Sequence, residues 1–144
     1  MDKKTPPPYS TFPASAKNGI LFLLLGWTWH FFFLYLFFYK RAGTGLETQL
    51  WLQQSAIALL VCFFTIRVRN WARVLCIIAN LLIISVYILT AAHFFSLSII
   101  NFAIFAVVNV ILFSISTYFL FIKETSDFFK LHSPRLGENK SKEK

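Results

Sequence analysis

Five polar side chains interrupt otherwise apolar stretches of this sequence: His30, Asn80, Tyr87, Asn101 and Asn109. An imidazole can carry a proton near neutral pH, and an amide or a phenol can hold a ligand or tie two helices together. The remaining histidines are His93 and His132. Bis-imidazole haem ligation or a metal centre needs its ligands at one depth. His30 lies mid-way along one apolar run, His93 at the end of another, and His132 in the polar C-terminal segment, with no carboxylate to join them. No metal and no cofactor is expected. Cys62 and Cys76 lack the spacing of a zinc or thiol-exchange motif, so they read as small buried apolar residues. No Ser-His-Asp set, phosphate-binding glycine loop or carboxylate pair can be assembled. No catalytic residue is assigned, and an enzyme is not expected.

A second cluster is basic. The stretch TIRVRNWARVL, Thr65 to Leu75, carries Arg67, Arg69 and Arg73 with Trp71 among them. Such residues pair with lipid phosphates and resist translocation, while an indole suits the membrane–water interface. Arg67, Arg69, Trp71 and Arg73 are therefore expected to bind anionic headgroups or a docking partner.

The elements that position these groups follow from composition. Hydrophobic residues make up 57% of the 144, aromatics 19% and charged residues only 14%; soluble domains carry about 25% charged residues. From Val74 to Ile122 there is no Asp, Glu, Lys or Arg, over more than twice the roughly 20 residues that cross a bilayer core. The net charge of +8 comes from residues flanking apolar runs, which points to anionic lipid and to control of orientation instead of nucleic acid.

The expected fold class is all-α: a compact bundle of four transmembrane helices with short loops, at about 19–39, 50–66, 71–92 and 97–122. In lipid the backbone must satisfy its own hydrogen bonds, so the Phe-rich GILFLLLGWTWHFFFLYLFFY becomes helical despite weak propensity. That first run is too long for a signal peptide and is taken as a retained span. Asn70 is expected to cap the third helix. The long apolar stretch must break within AHFFSLS, because one unbroken helix would be roughly 70 Å long. Residues 1–18 read as a disordered Pro-rich tail. Residues 123–144 read as a basic tail, with KETSDFFKLH either an interfacial helix or a frayed end and the remainder disordered. Of the 14 Lys and Arg, only Lys40 and Arg41 fall outside the two tails and the second connection. Both termini are thus expected in the cytoplasm, with the chain a multi-pass protein of the inner (plasma) membrane.

Helical periodicity gives each span an inward face: Gly26, His30 and Phe33; Ser55, Ala58, Cys62 and Thr65; Cys76, Asn80, Tyr87 and Ala91; Phe105, Ala106, Asn109, Leu112 and Ser116. Gln53 and Gln54 are placed within reach of headgroups. His30 and Asn109, at matched depth in antiparallel spans, are expected to hydrogen-bond. With no intramembrane Asp or Glu, the usual coupling site of a small proton-driven exporter is missing. The expected function is a non-enzymatic accessory, assembly or interaction subunit for another membrane protein, the alternative being a small oligomeric transporter, channel or lipid-handling protein. Expected partners are anionic lipid and another membrane protein or a second copy of the chain.

Overall fold

The computed structural model describes residues 7–39 and 45–132. The connection at 40–44 and the expected disordered segments at 1–6 and 133–144 lie outside the described residues. A single 3-10 turn at Tyr9–Thr11 precedes five α-helices: α1 (Ala14–Tyr39), α2 (Gly45–Ile66), α3 (Asn70–Ser96), α4 (Ile100–Phe121) and α5 (Lys123–His132). No strand occurs among the described residues. Three helices are long and apolar enough to cross a membrane, at Ala14–Tyr35, Asn70–Ser96 and Ile100–Phe121. In α2 the apolar portion is shorter, Leu52–Ile66. The chain is an α-helical membrane protein.

The first three helices run longer than expected, and α4 is shorter than the expected 97–122. α1 begins at Ala14, taking up residues assigned to a disordered tail, and Phe12 and Ala16 are buried. α2 begins at Gly45 and α3 continues to Ser96. Two short turns separate α2 from α3 and α3 from α4, and both use the same device. After α2, the amide of Val68 donates to the Thr65 carbonyl (3.0 Å) and that of Arg69 to the Phe64 carbonyl (3.1 Å). After α3, Ser98 donates to Phe95 (3.0 Å) and Ile99 to Phe94 (2.9 Å). These are Schellman caps, which need one residue in the left-handed region, usually glycine. Here it is Val68 (φ 55°) and Ser98 (φ 57°).

Packing centres on α4, which pairs most extensively with α3 and then with α1. Two glycines let α1 approach it. A Cβ at Gly19 would meet Leu120 Cδ2 at 3.0 Å, and one at Gly26 would meet the Phe113 ring at 3.1 Å. α2 bridges α1 and α3 more sparsely; it buries Ala58, Val61, Cys62 and Thr65 and exposes Leu52, Ile57, Leu59, Leu60 and Phe63. The faces expected from periodicity hold: Gly26, His30 and Phe33, then Cys76, Asn80, Tyr87 and Ala91, are buried. In α4 the large inward side chain is Phe113, with Leu112 half-buried.

The segment after α4 is a helix whose apolar side lies on the protein itself. Phe129 is fully buried in a cluster with Phe12, Ala16, Ile20 and Val68. Ser15 Oγ donates to the Glu124 carboxylate (2.6 Å), and Thr125 Oγ1 donates to Ser15 Oγ (3.0 Å). Together these join α5, the start of α1 and the α2–α3 turn into one end of the bundle.

Opposite signs are expected for glycine at the two caps. Ser98 is exposed, so Ser98→Gly relieves the left-handed penalty and stabilises by ~1 kcal/mol. Val68 is fully buried, so Val68→Gly loses ~1.5–3 kcal/mol of side-chain burial and is destabilising on balance. Thermal midpoints of the two variants in one detergent check the signs.

Candidate functional site

His30 sits on the inner face of α1 and is 9% exposed. Its Nε2 lies 2.9 Å from Gln54 Oε1 on α2, and its Nδ1 lies 2.7 Å from the Tyr87 hydroxyl on α3. A carbonyl oxygen can only accept, so Nε2 carries the proton of the neutral ring. Nδ1 then accepts from Tyr87. Trp27 and Tyr87 meet the imidazole edge-on, with ring centroids 5.3 and 5.7 Å away. One side chain thereby ties three helices together. The line runs from a phenol through an imidazole to an amide, and an amide neither takes nor gives a proton near neutral pH. The arrangement is a tie, with no onward step for a proton relay.

The expected His30–Asn109 hydrogen bond is corrected. The positions are level: Gly26 faces Phe113 and Phe33 packs on Phe105, an antiparallel register that sets His30 opposite Asn109. Both imidazole nitrogens, however, are engaged by α2 and α3. Asn109 is fully buried, and its Oδ1 and Nδ2 have no hydrogen-bond partner among the described residues. The same holds for Trp27 Nε1. The partner that sequence reasoning missed is Gln54. It lies one turn before Ala58 on the stripe that continues through Cys62 and Thr65, so the periodicity that found those residues reaches it when extended by one turn.

The other candidates separate. Asn80 is buried on α3 and its Nδ2 donates to Ser116 Oγ (3.4 Å), which donates to the Gly19 carbonyl (3.0 Å). That chain crosses from α3 through α4 to α1. Asn101 is exposed at the start of α4 and joins no inner face. Thr65 Oγ1 donates to the Val61 carbonyl (2.8 Å) and lies 3.0 Å from Cys76 Sγ, so the thiol is the donor between α3 and α2. Both cysteines are free and buried. Among the described residues no group of three His, Cys, Asp or Glu could hold a metal ion.

The basic cluster divides. Arg67 is exposed with its guanidinium 4.6 Å from the Phe63 ring centroid. Arg69 is half-buried, and Trp71 is exposed with its ring against Phe64. Arg73 is corrected as a headgroup ligand: it is 6% exposed and turned inward. Its Nη1 donates to the Leu120 carbonyl in the last turn of α4 (2.9 Å), and its Nε donates to Asn70 Oδ1 (3.2 Å). The end of a helix carries unpaired carbonyls and partial negative charge, which a guanidinium meets well. Asn70 is likewise not the cap of α3; Arg69 holds that position, with no side-chain cap bond. Compared with known proteins, the chain matches no family model, no curated protein and no solved structure.

A double-mutant cycle of His30→Ala and Tyr87→Phe should give a coupling energy near the ~0.6 kcal/mol average of intramembrane hydrogen bonds, with ~1.7 kcal/mol as its upper bound. Additive single effects would remove the tie. Asn109→Leu, in contrast, deletes a buried side-chain amide with no hydrogen-bond partner among the described residues. It should leave the protein at least as stable and raise its unfolding free energy by ~1 kcal/mol; a fall of that size would show that Asn109 has a partner.

Proposed function

We propose that the chain crosses the inner (plasma) membrane four times, with both termini and the Arg67–Arg73 turn in the cytoplasm. It acts there as a non-enzymatic accessory or assembly subunit that docks on another membrane protein. The observation that carries this reading is how the buried polar side chains are used. His30, Gln54, Tyr87, Asn80, Ser116 and Arg73 all bond across helices, with Asn109 and the Trp27 indole the exceptions. This favours the outward aromatic and aliphatic surface as the part of the molecule that recognises a partner. α2 would make the fourth crossing: its 22 residues are about 33 Å long at 1.5 Å per residue. The apolar Leu52–Ile66 covers about 22 Å of a hydrocarbon core of about 30 Å, and the polar first turns reach the interface.

The docking face we favour is the outward side of α1, where Phe32 and Tyr35 are exposed beside a half-buried Trp29. Aromatic side chains give large, rigid contact area at low entropic cost. The second reading, an oligomeric transporter, channel or lipid-handling protein, is favoured by one observation, the unpaired amide of Asn109 in the interior.

Purification of the tagged full-length protein from native membranes in mild detergent tests the proposal. A stoichiometric foreign membrane protein is expected. It should be retained by Leu89→Ala, on the exposed side of α3, and bound at least ~10-fold more weakly by Phe32→Ala with Tyr35→Ala, as for central aromatic anchors. A homo-oligomer free of other proteins, giving solute flux in liposomes that falls with His30→Ala, would overturn this reading in favour of the second.

A further inference from the structure

We infer that the groove between α1 and α2 holds one acyl chain of an anionic phospholipid, with its phosphate between Lys17 and Arg67. The groove has a volume of about 340 Å³ and is open along one side. Its walls are Leu24 and Phe31 on α1 and Ser55 and Leu59 on α2, and its floor is the buried Trp27 and Ala58. Volumes of this size hold small ligands. A partner helix, about 10 Å across, is too broad for a slot between two neighbouring helices of one bundle, whereas a polymethylene chain is not. The lining is largely apolar and belongs to the candidate span of α1 and to the shorter apolar stretch Leu52–Ile66 of α2, which puts the groove at hydrocarbon depth.

The two described cations that continue the walls of the groove, Lys17 and Arg67, lie towards one mouth. Lys17, Leu24 and Phe31 recur at seven-residue spacing on α1. Leu59 and Phe63 on α2 are followed at the same four-residue spacing by Arg67, which lies just past the end of the helix and whose amide donates to the Phe63 carbonyl (3.0 Å). Each cation therefore continues a groove-lining face. The register that pairs His30 with Gln54 and puts Ala16 in one buried cluster with Val68 sets Lys17 level with Arg67. Ten residues of helix separate Lys17 from Trp27, about 15 Å, or half of an about 30 Å hydrocarbon core. A chain lying along Trp27 thus places its headgroup at the cations. Lys17 is oriented by the Ser10 carbonyl (2.9 Å) and Arg67 by the Phe63 ring. Basic sites between membrane helices recognise acidic headgroups in this way. The inference does not depend on what docks on α1 or on which leaflet the mouth faces.

Native mass spectrometry of the full-length protein in detergent tests it, with phosphatidylglycerol and phosphatidylcholine of identical chains as probes. One phosphatidylglycerol should be retained in preference to phosphatidylcholine. Lys17→Gln and Arg67→Gln should each weaken its retention about fivefold, the effect of one cation near a charged surface. Thr28→Phe, which fills the groove, should abolish retention. The Thr28 hydroxyl bonds only the Leu24 carbonyl of its own helix, and Leu59→Trp offers a second block from α2 should that variant misfold. Inorganic phosphate should not displace the lipid. Equal retention of the two lipids, insensitivity to the charge or groove variants, displacement by phosphate, or a second protein chain found shielding the groove would each overturn the inference.

Discussion

The close approach of α1 to α4 is the constraint on which the rest of the bundle depends. Between helices in lipid, burying apolar surface gains little, because hydrocarbon is already apolar; association relies on tight packing and on hydrogen bonds. Gly19 and Gly26 supply the first. With no Cβ at either position, the α1 backbone rests on Leu120 and the Phe113 ring. Phe113 is then enclosed, with Trp27 edge-on to it at 5.7 Å. The same closeness brings the Gly19 carbonyl within 3.0 Å of Ser116, so a backbone oxygen already used within α1 accepts a second bond from α4. The register that follows sets the depth of every other polar group.

α2 is held differently. It has no glycine contact of this kind with α1 or α3 among the described residues. Its polar attachments are Gln54 to His30 near the middle of the helix and Thr65 with Cys76 near its end, with Ala58, Val61 and Cys62 packed in the core between them. The groove lies on the α1 side of that interval, over the small Ala58. Asn109 fits the same logic from the opposite side. His30 can serve two neighbours only, and both of its nitrogens turn towards α2 and α3. An amide on α4 at that depth is left without a partner among the described residues.

Much of this was legible in the sequence. Charge-free windows mark the helices, and periodicity identifies the inner faces of α1 and α3 because one small or polar residue recurs at each turn. The ends of α1 at Tyr39 and of α2 at Ile66 fall where the apolar runs stop. The starts of these helices, which precede their apolar runs, and the left-handed caps at Val68 and Ser98 were not legible, because a β-branched residue in such a cap carries no turn signal. The site was legible in part. His30 and Tyr87 stand out against apolar neighbours, whereas Gln54, beside Gln53 near a helix start, reads as an interfacial residue. Its depth depends on α2 beginning at Gly45, five residues before the apolar run, and nothing in GLETQ announces that.

Arg73 shows why a basic cluster cannot be read as one unit. Three arginines within seven residues invite a single role, yet their angular positions on the helices and turn differ. Arg67 follows the outward face of α2 through Leu59 and Phe63. Arg73 lies one turn from Cys76, on the inner stripe of α3, and so points at α4. A guanidinium buried there needs an acceptor, since an unpaired buried charge is among the costliest defects a fold can carry. The terminal carbonyls of α4 are that acceptor: α4 ends at Phe121, and the Leu120 oxygen has no amide four residues on within the same helix. The turn at Ile122 that frees this oxygen also starts α5 and swings Phe129 under the bundle. One arginine therefore serves the end of α4, and the cation left facing outward at the groove is Arg67.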